Sequence, residues 1–193
     1  MYEWHSFLIA ADEWFITYSL PPMLMHVKFF AIGHTVELYL KAANTKITGD
    51  IERAMKFGHN LKAIWDDCKA KDSAFMPQYE IRDDIYNRDL QLSPFKGLNA
   101  EDTIHLGNNY ELYIIAKYLP DLKYLGAPPK TKTMKGDAGL YMQFPNRYWI
   151  YFLKDMRRYL GHPEESRRDT ISFHIDRSTM PPETVRFLKM LYT

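Results

Sequence analysis

The sequence predicts an all-α protein, a bundle of five or six helices with a long basic loop before the penultimate helix. Three observations carry this expectation. Apolar residues recur at three- and four-residue intervals along most of the chain. The only strand-like alternation is the short stretch Ile171–Ile175. Glycine and proline breaks fall between the periodic segments, at Pro21-Pro22, Gly49-Asp50, Gly58 and Gly161-His162-Pro163. At 193 residues the chain can bury a sizeable core as one domain, with residues 1–162 as the bundle and residues 163–193 as a C-terminal extension.

The first helix is marked by Trp4, Phe7, Leu8, Ala11, Trp14, Phe15 and Tyr18, with Glu3, Asp12 and Glu13 expected on its surface. Pro21-Pro22 ends it and suits the first turn of the next helix, where a missing amide donor costs nothing. That second helix, from about Met23 to Lys46, is apolar almost all round, so it belongs at the centre of the bundle. Asp50 is an N-cap for a third segment, which Gly58 interrupts. From Asn60 to Lys71, Leu61, Ile64, Trp65 and Cys68 form a further stripe.

Residues 76–92 read as a short helix among acids, with Tyr79, Ile81, Ile85, Tyr86 and Leu90 as its apolar positions. The next helix starts at Asn99 or Asp102 and presents a wide apolar face until Pro120 kinks or ends it. Residues 126–145 have no helical period and form the basic loop. Arg147 to Leu160 is strongly amphipathic, and a last short helix follows Pro181-Pro182.

Net charge is +1 but its distribution is uneven, with ten acids against five bases in residues 64–111 and eight bases against two acids in residues 123–158. Such polarity would steer an anion to one face or pair two faces in an oligomer; it also fits two ordinary solvated faces. With 14 Tyr, 11 Phe and 4 Trp the chain is rich in aromatics, which serve a bulky core or a self-association surface. The single cysteine, Cys68, excludes an intrachain disulfide and a cysteine-based zinc site, and points to a reducing compartment. The opening Met-Tyr-Glu-Trp-His does not read as a signal peptide, and no uncharged apolar run reaches the roughly 18–20 residues of a membrane span. The expectation is a cytoplasmic protein with no membrane association.

One polar line crosses the apolar second helix. At 100° per residue, His26, Gly33, His34, Glu37, Lys41 and Asn44 share roughly a 100° sector. Glu37 and Lys41 stand in the favourable i, i+4 order, with His34 one turn earlier. This line is either a strip for anion binding or proton transfer facing a cleft, or a Glu–Lys pair satisfied inside the bundle. No HExxH, repeated Glu-x-x-His, Asp-rich calcium loop, phosphate-binding glycine loop or G-x-S-x-G is present, so neither a metal nor a cofactor is expected.

The order Gly33-His34-x-x-Glu37-Leu38-x-Leu40-Lys41-Ala42, then Gly58-His59-Asn60-Leu61, resembles the HEPN superfamily over about residues 20–70, and more loosely over 100–160. The resemblance implies a small, often dimeric helical bundle of prokaryotic toxin–antitoxin and defence systems. It also implies an antitoxin or a nucleotidyltransferase as partner. Nuclease members use an Arg followed after four to six residues by a His, paired across subunits as a metal-independent RNase site. Arg157 to His162 has that spacing at a helix end, and Arg53 to His59 has it across Gly58. The polar residue, usually Asn, that follows the family's Arg is replaced by Arg158 in one case and Ala54 in the other.

Two functions follow from the resemblance. In the first, Arg157 holds phosphate and His162 exchanges protons, while Lys154, Arg158, Lys130, Lys132 and Lys135 bind an RNA backbone and Tyr148, Trp149 and Tyr151 stack on bases. In the second, which is favoured, a non-catalytic dimer binds a partner protein, nucleotide or other small ligand at a pocket lined by His34, Glu37, Lys41 and His59.

Overall fold

Every regular element described in the computed structural model is helical; the description covers residues 3–19, 25–88, 90, 94–122, 146–161 and 182. Among these residues there are seven α-helices: α1 (Glu3–Ser19), α2 (Met25–Thr48), α3 (Ile51–Lys56), α4 (Leu61–Lys71), α5 (Asp83–Tyr86), α6 (Ala100–Leu122) and α7 (Asn146–Leu160). The basic loop at 126–145, the strand-like stretch at 171–175 and the last helix after Pro182 all lie outside the described residues.

α2 is the central element, as its composition requires. From Ala31 to Thr45 every residue except His34 is buried. α1 runs antiparallel along it, because Trp4 lies over Lys46, Asp12 meets Tyr39 and Trp14 meets His34. Leu8, Ala11 and Phe15 of α1, the α4 stripe, Ile85 of α5, Leu106 and residues 112–116 of α6, and Phe152, Leu153, Met156 and Leu160 of α7 complete one continuous core. No described helix is long and apolar enough to cross a membrane.

The punctuation between helices is local chemistry. Gly49 takes φ +70, and the Asp50 carboxylate accepts the Arg53 N–H at 2.9 Å as the cap of α3. Gly58 takes φ +58, and the Asn60 side chain accepts the Ala63 N–H at 3.1 Å as the cap of α4. Of the two candidate starts for α6, Asn99 is the cap, accepting the Asp102 N–H at 2.8 Å. α7 ends at Gly161, φ +63, and its last carbonyls are taken by a distant side chain: Lys46 Nζ donates to Tyr159 O at 3.0 Å and Leu160 O at 2.9 Å.

Two expectations are narrowed. The short helix within residues 76–92 is Asp83–Tyr86; residues 72–82 before it form a strap of turns and irregular backbone that lies across α6 and α7. Two backbone turns shape the strap, with Phe75 N–H donating to Asp72 O at 3.1 Å and Tyr79 N–H to Met76 O at 3.0 Å. Met76 sits at φ +44, with its side chain buried and its carbonyl bound by Lys69 Nζ at 2.8 Å. Pro120 does not end α6, which continues to Leu122. The Ala116 carbonyl, four residues before this proline and so without its helical donor, receives the Tyr86 hydroxyl at 3.3 Å.

Candidate functional site

The polar line on α2 converges on Glu37. Its side chain is only 3% exposed, and Lys41 one turn later, also buried, donates from Nζ to Oε1 at 2.8 Å. From the turn between α3 and α4, His59 brings Nδ1 to 3.0 Å from Oε1 and 2.9 Å from Oε2. His34, one turn before Glu37, places Nδ1 3.8 Å from Oε2. A carboxylate this buried demands such company, because an unpaired charge in the interior costs several kcal/mol.

Each residue of Gly58-His59-Asn60-Leu61 has a separate task in building this contact. Gly58 supplies the left-handed turn, His59 reaches back to Glu37, Asn60 caps α4 and Leu61 anchors the helix in the core. The rim is accessible: the side chain of His34 is 25% exposed and that of His59 is 48% exposed. Trp14 meets the His34 ring edge-on at 5.0 Å, and Phe30 stacks on it at 5.9 Å, which adds an aromatic wall. The arrangement is a buried carboxylate that fixes the orientation of imidazoles at a surface, a geometry suited to holding a ligand by directed hydrogen bonds. Gly33 is buried on the same line, while the His26 side chain lies outside the described residues.

The line continues past Lys41 into a second carboxylate. Asn44 donates from Nδ2 to Asp67 Oδ2 at 2.8 Å, and Arg53 forks onto both Asp67 oxygens, with Nε at 2.8 Å from Oδ2. The Arg53 guanidinium holds the Asp67 carboxyl below the usual carboxylate range, against an opposing push from burial. Arg53 and His59 therefore serve different carboxylates. Asp67 belongs to α4 and had no sequence signal, because nothing local distinguishes it from its neighbour Asp66.

Arg157 lies inside the bundle. It is 4% exposed, and Nη1 donates to Asp12 Oδ1 at 2.7 Å and to the Tyr39 hydroxyl at 3.4 Å; Tyr39 also donates to Asp12. Asp12, expected on the surface of the first helix, is instead 2% exposed. The physical reason is Arg157, 145 residues away, whose charge makes burial of this carboxylate tolerable. Arg158 is exposed and paired with Asp155 at 3.1 Å, and Lys154 is partly exposed on the same helix. His162, the three loop lysines and the side chains of Tyr148, Trp149 and Tyr151 lie outside the described residues.

Among the described residues no group of three or more His, Cys, Asp or Glu side chains is arranged to hold a metal ion. Comparison with protein-family models, with curated proteins and with solved structures finds no match to this chain.

Proposed function

We propose that this chain is a non-catalytic, HEPN-like binding module that works as a homodimer and takes a nucleotide, another small ligand or a partner protein at the Glu37 cluster. One observation carries the reading. Two short motif segments meet on a single buried carboxylate, with Lys41 at its base and His34 and His59 partly exposed at its rim. Ion pairing alone would be satisfied by Lys41. The additional imidazoles, one of them half in solvent, give the site an outward-facing recognition edge.

The test is titration with AMP, ATP and a pool of short RNAs, followed by the side-chain NMR signals of His34 and His59. Binding that shifts both signals and is lost in His59→Ala supports the reading. Binding that leaves both unmoved, or no binding by any of the three probes together with a silent His59→Ala in pull-downs of a toxin–antitoxin or nucleotidyltransferase partner, sinks it.

The alternative is a metal-independent RNase of a defence system using Arg157 and His162. The burial of Arg157 against Asp12 and Tyr39 weighs against it, because a phosphate clamp has to reach solvent. Cleavage of RNA in chelator by the unaltered protein, abolished in His162→Ala, would reverse this preference.

A further inference from the structure

A second cluster of titratable groups, separate from Glu37, fastens the 72–82 strap to α6. The Arg82 backbone N–H donates to the Tyr113 hydroxyl at 2.7 Å, and the Glu80 N–H donates to Asn109 Oδ1 at 3.0 Å. His105 completes the junction, with Nε2 at 2.9 Å from the Tyr113 hydroxyl and Nδ1 3.6 Å from Glu80 Oε2. The Tyr113 residue is fully buried, and burial pushes its phenol up to about 12, so it remains a proton donor.

Hydrogen counting assigns the tautomer of His105. The Tyr113 oxygen accepts from Arg82, and its buried hydrogen needs an acceptor; Nε2 of His105 at 2.9 Å supplies one only when it is bare. The imidazole proton sits on Nδ1, facing Glu80. Adding a proton at Nε2 sets two donors against the phenol, Arg82 N–H on one side and imidazolium on the other, and leaves the buried phenolic hydrogen without an acceptor.

We propose that His105 is a proton-operated latch, holding the 80–82 end of the strap against α6 while neutral and loosening it once protonated. Among the described residues the charged and titratable groups around it are Glu80 and Arg82 from the strap, Asp84 from α5, and Asp102 and Tyr113 from α6 itself. The Arg82 guanidinium is neutralised by Asp84 and Asp102, each at 2.7 Å, so only its backbone N–H takes part in the latch. Glu80, with its side chain 64% exposed, gives the imidazolium a partner and makes the protonated state accessible rather than forbidden.

The experiment uses the full chain. Side-chain nitrogen shifts of His105 at pH 7.5 should report Nε2 as the bare nitrogen; the opposite tautomer overturns the proposal. Amide-exchange protection at Arg82, corrected for intrinsic rates, should fall about tenfold from pH 7.5 to 5.5, the scale of one buried hydrogen bond. In His105→Gln, whose amide oxygen accepts from Tyr113 without titrating, protection should not change with pH. An equal fall in that variant, or none in the unaltered protein, refutes the latch. If His105→Gln does not fold, the tautomer and the Arg82 exchange of the unaltered protein decide alone.

Discussion

His59 Nδ1 lies within 3.0 Å of both carboxylate oxygens of Glu37, although the two residues stand twenty-two positions apart. The contact ties the α3–α4 turn to the centre of α2 and depends on Glu37 remaining charged beside Lys41. The chemistry of the cluster and the stability of the bundle are therefore linked.

Removing either member of the buried Glu37–Lys41 pair leaves the other charge stranded. Glu37→Ala and Lys41→Ala should each cost about 3–5 kcal/mol in urea unfolding, whereas the apolar double variant Glu37→Leu/Lys41→Met should be less destabilised than either. If the double variant lost the sum of both costs, the pair would be contributing more than mutual neutralisation.

The turn that delivers His59 needs a left-handed residue at position 58. A side chain added at Gly58 meets nothing within 4 Å, so Gly58→Ala tests backbone strain alone. It should cost about 1 kcal/mol, and Gly58→Asn less, since Asn tolerates this conformation. Thermal unfolding of the two variants side by side makes the comparison.

Acid should weaken the α2–α3–α4 junction through Asp67. Hydrogen bonding from Arg53 lowers its native value, so its stabilisation is complete above the unfolded carboxyl's range and is lost as pH falls through the native value. The effect belongs below about pH 4, where an unfolded Asp gains its proton. Asp67→Asn should flatten that limb of a stability–pH profile; an unchanged limb would assign the acid sensitivity elsewhere.

Cys68 should be inert in the native state. It is fully buried, and burial pushes its thiol up to about 12. Alkylation with iodoacetamide at pH 8 should be slower than in urea by the fraction of time the core is open, and fast labelling of the folded protein would contradict the packing around α4.

What was legible in the sequence was what neighbours decide. The burial of α2, the cap at Asp50, the α4 stripe and the stop at Gly161 all follow from residues within one or two turns. His34, Glu37 and Lys41 share one helix face in the sequence itself, whereas the approach of His59 to Glu37 is a contact across 22 positions that local spacing does not give. Within residues 76–92 the short helix falls at Asp83–Tyr86, and the turns before it close on backbone bonds, Phe75 N–H to Asp72 O and Tyr79 N–H to Met76 O, that no apolar spacing marks. Asp12 was misread because an acid on an amphipathic helix normally faces water, and its partners Tyr39 and Arg157 are 27 and 145 residues away.

That last separation bears on how the protein is made. Asp12 leaves the ribosome long before Arg157 is synthesised, yet its place is in the interior between α1, α2 and α7. Until α7 emerges, a dry α1–α2 interface would bury the Asp12 carboxylate without Arg157, which should disfavour early closure. A nascent chain stalled before position 157 should stay protease-sensitive across α1, and release of the next few dozen residues should seal it. On this account the arrival of Arg157 sets when the core can close around Asp12.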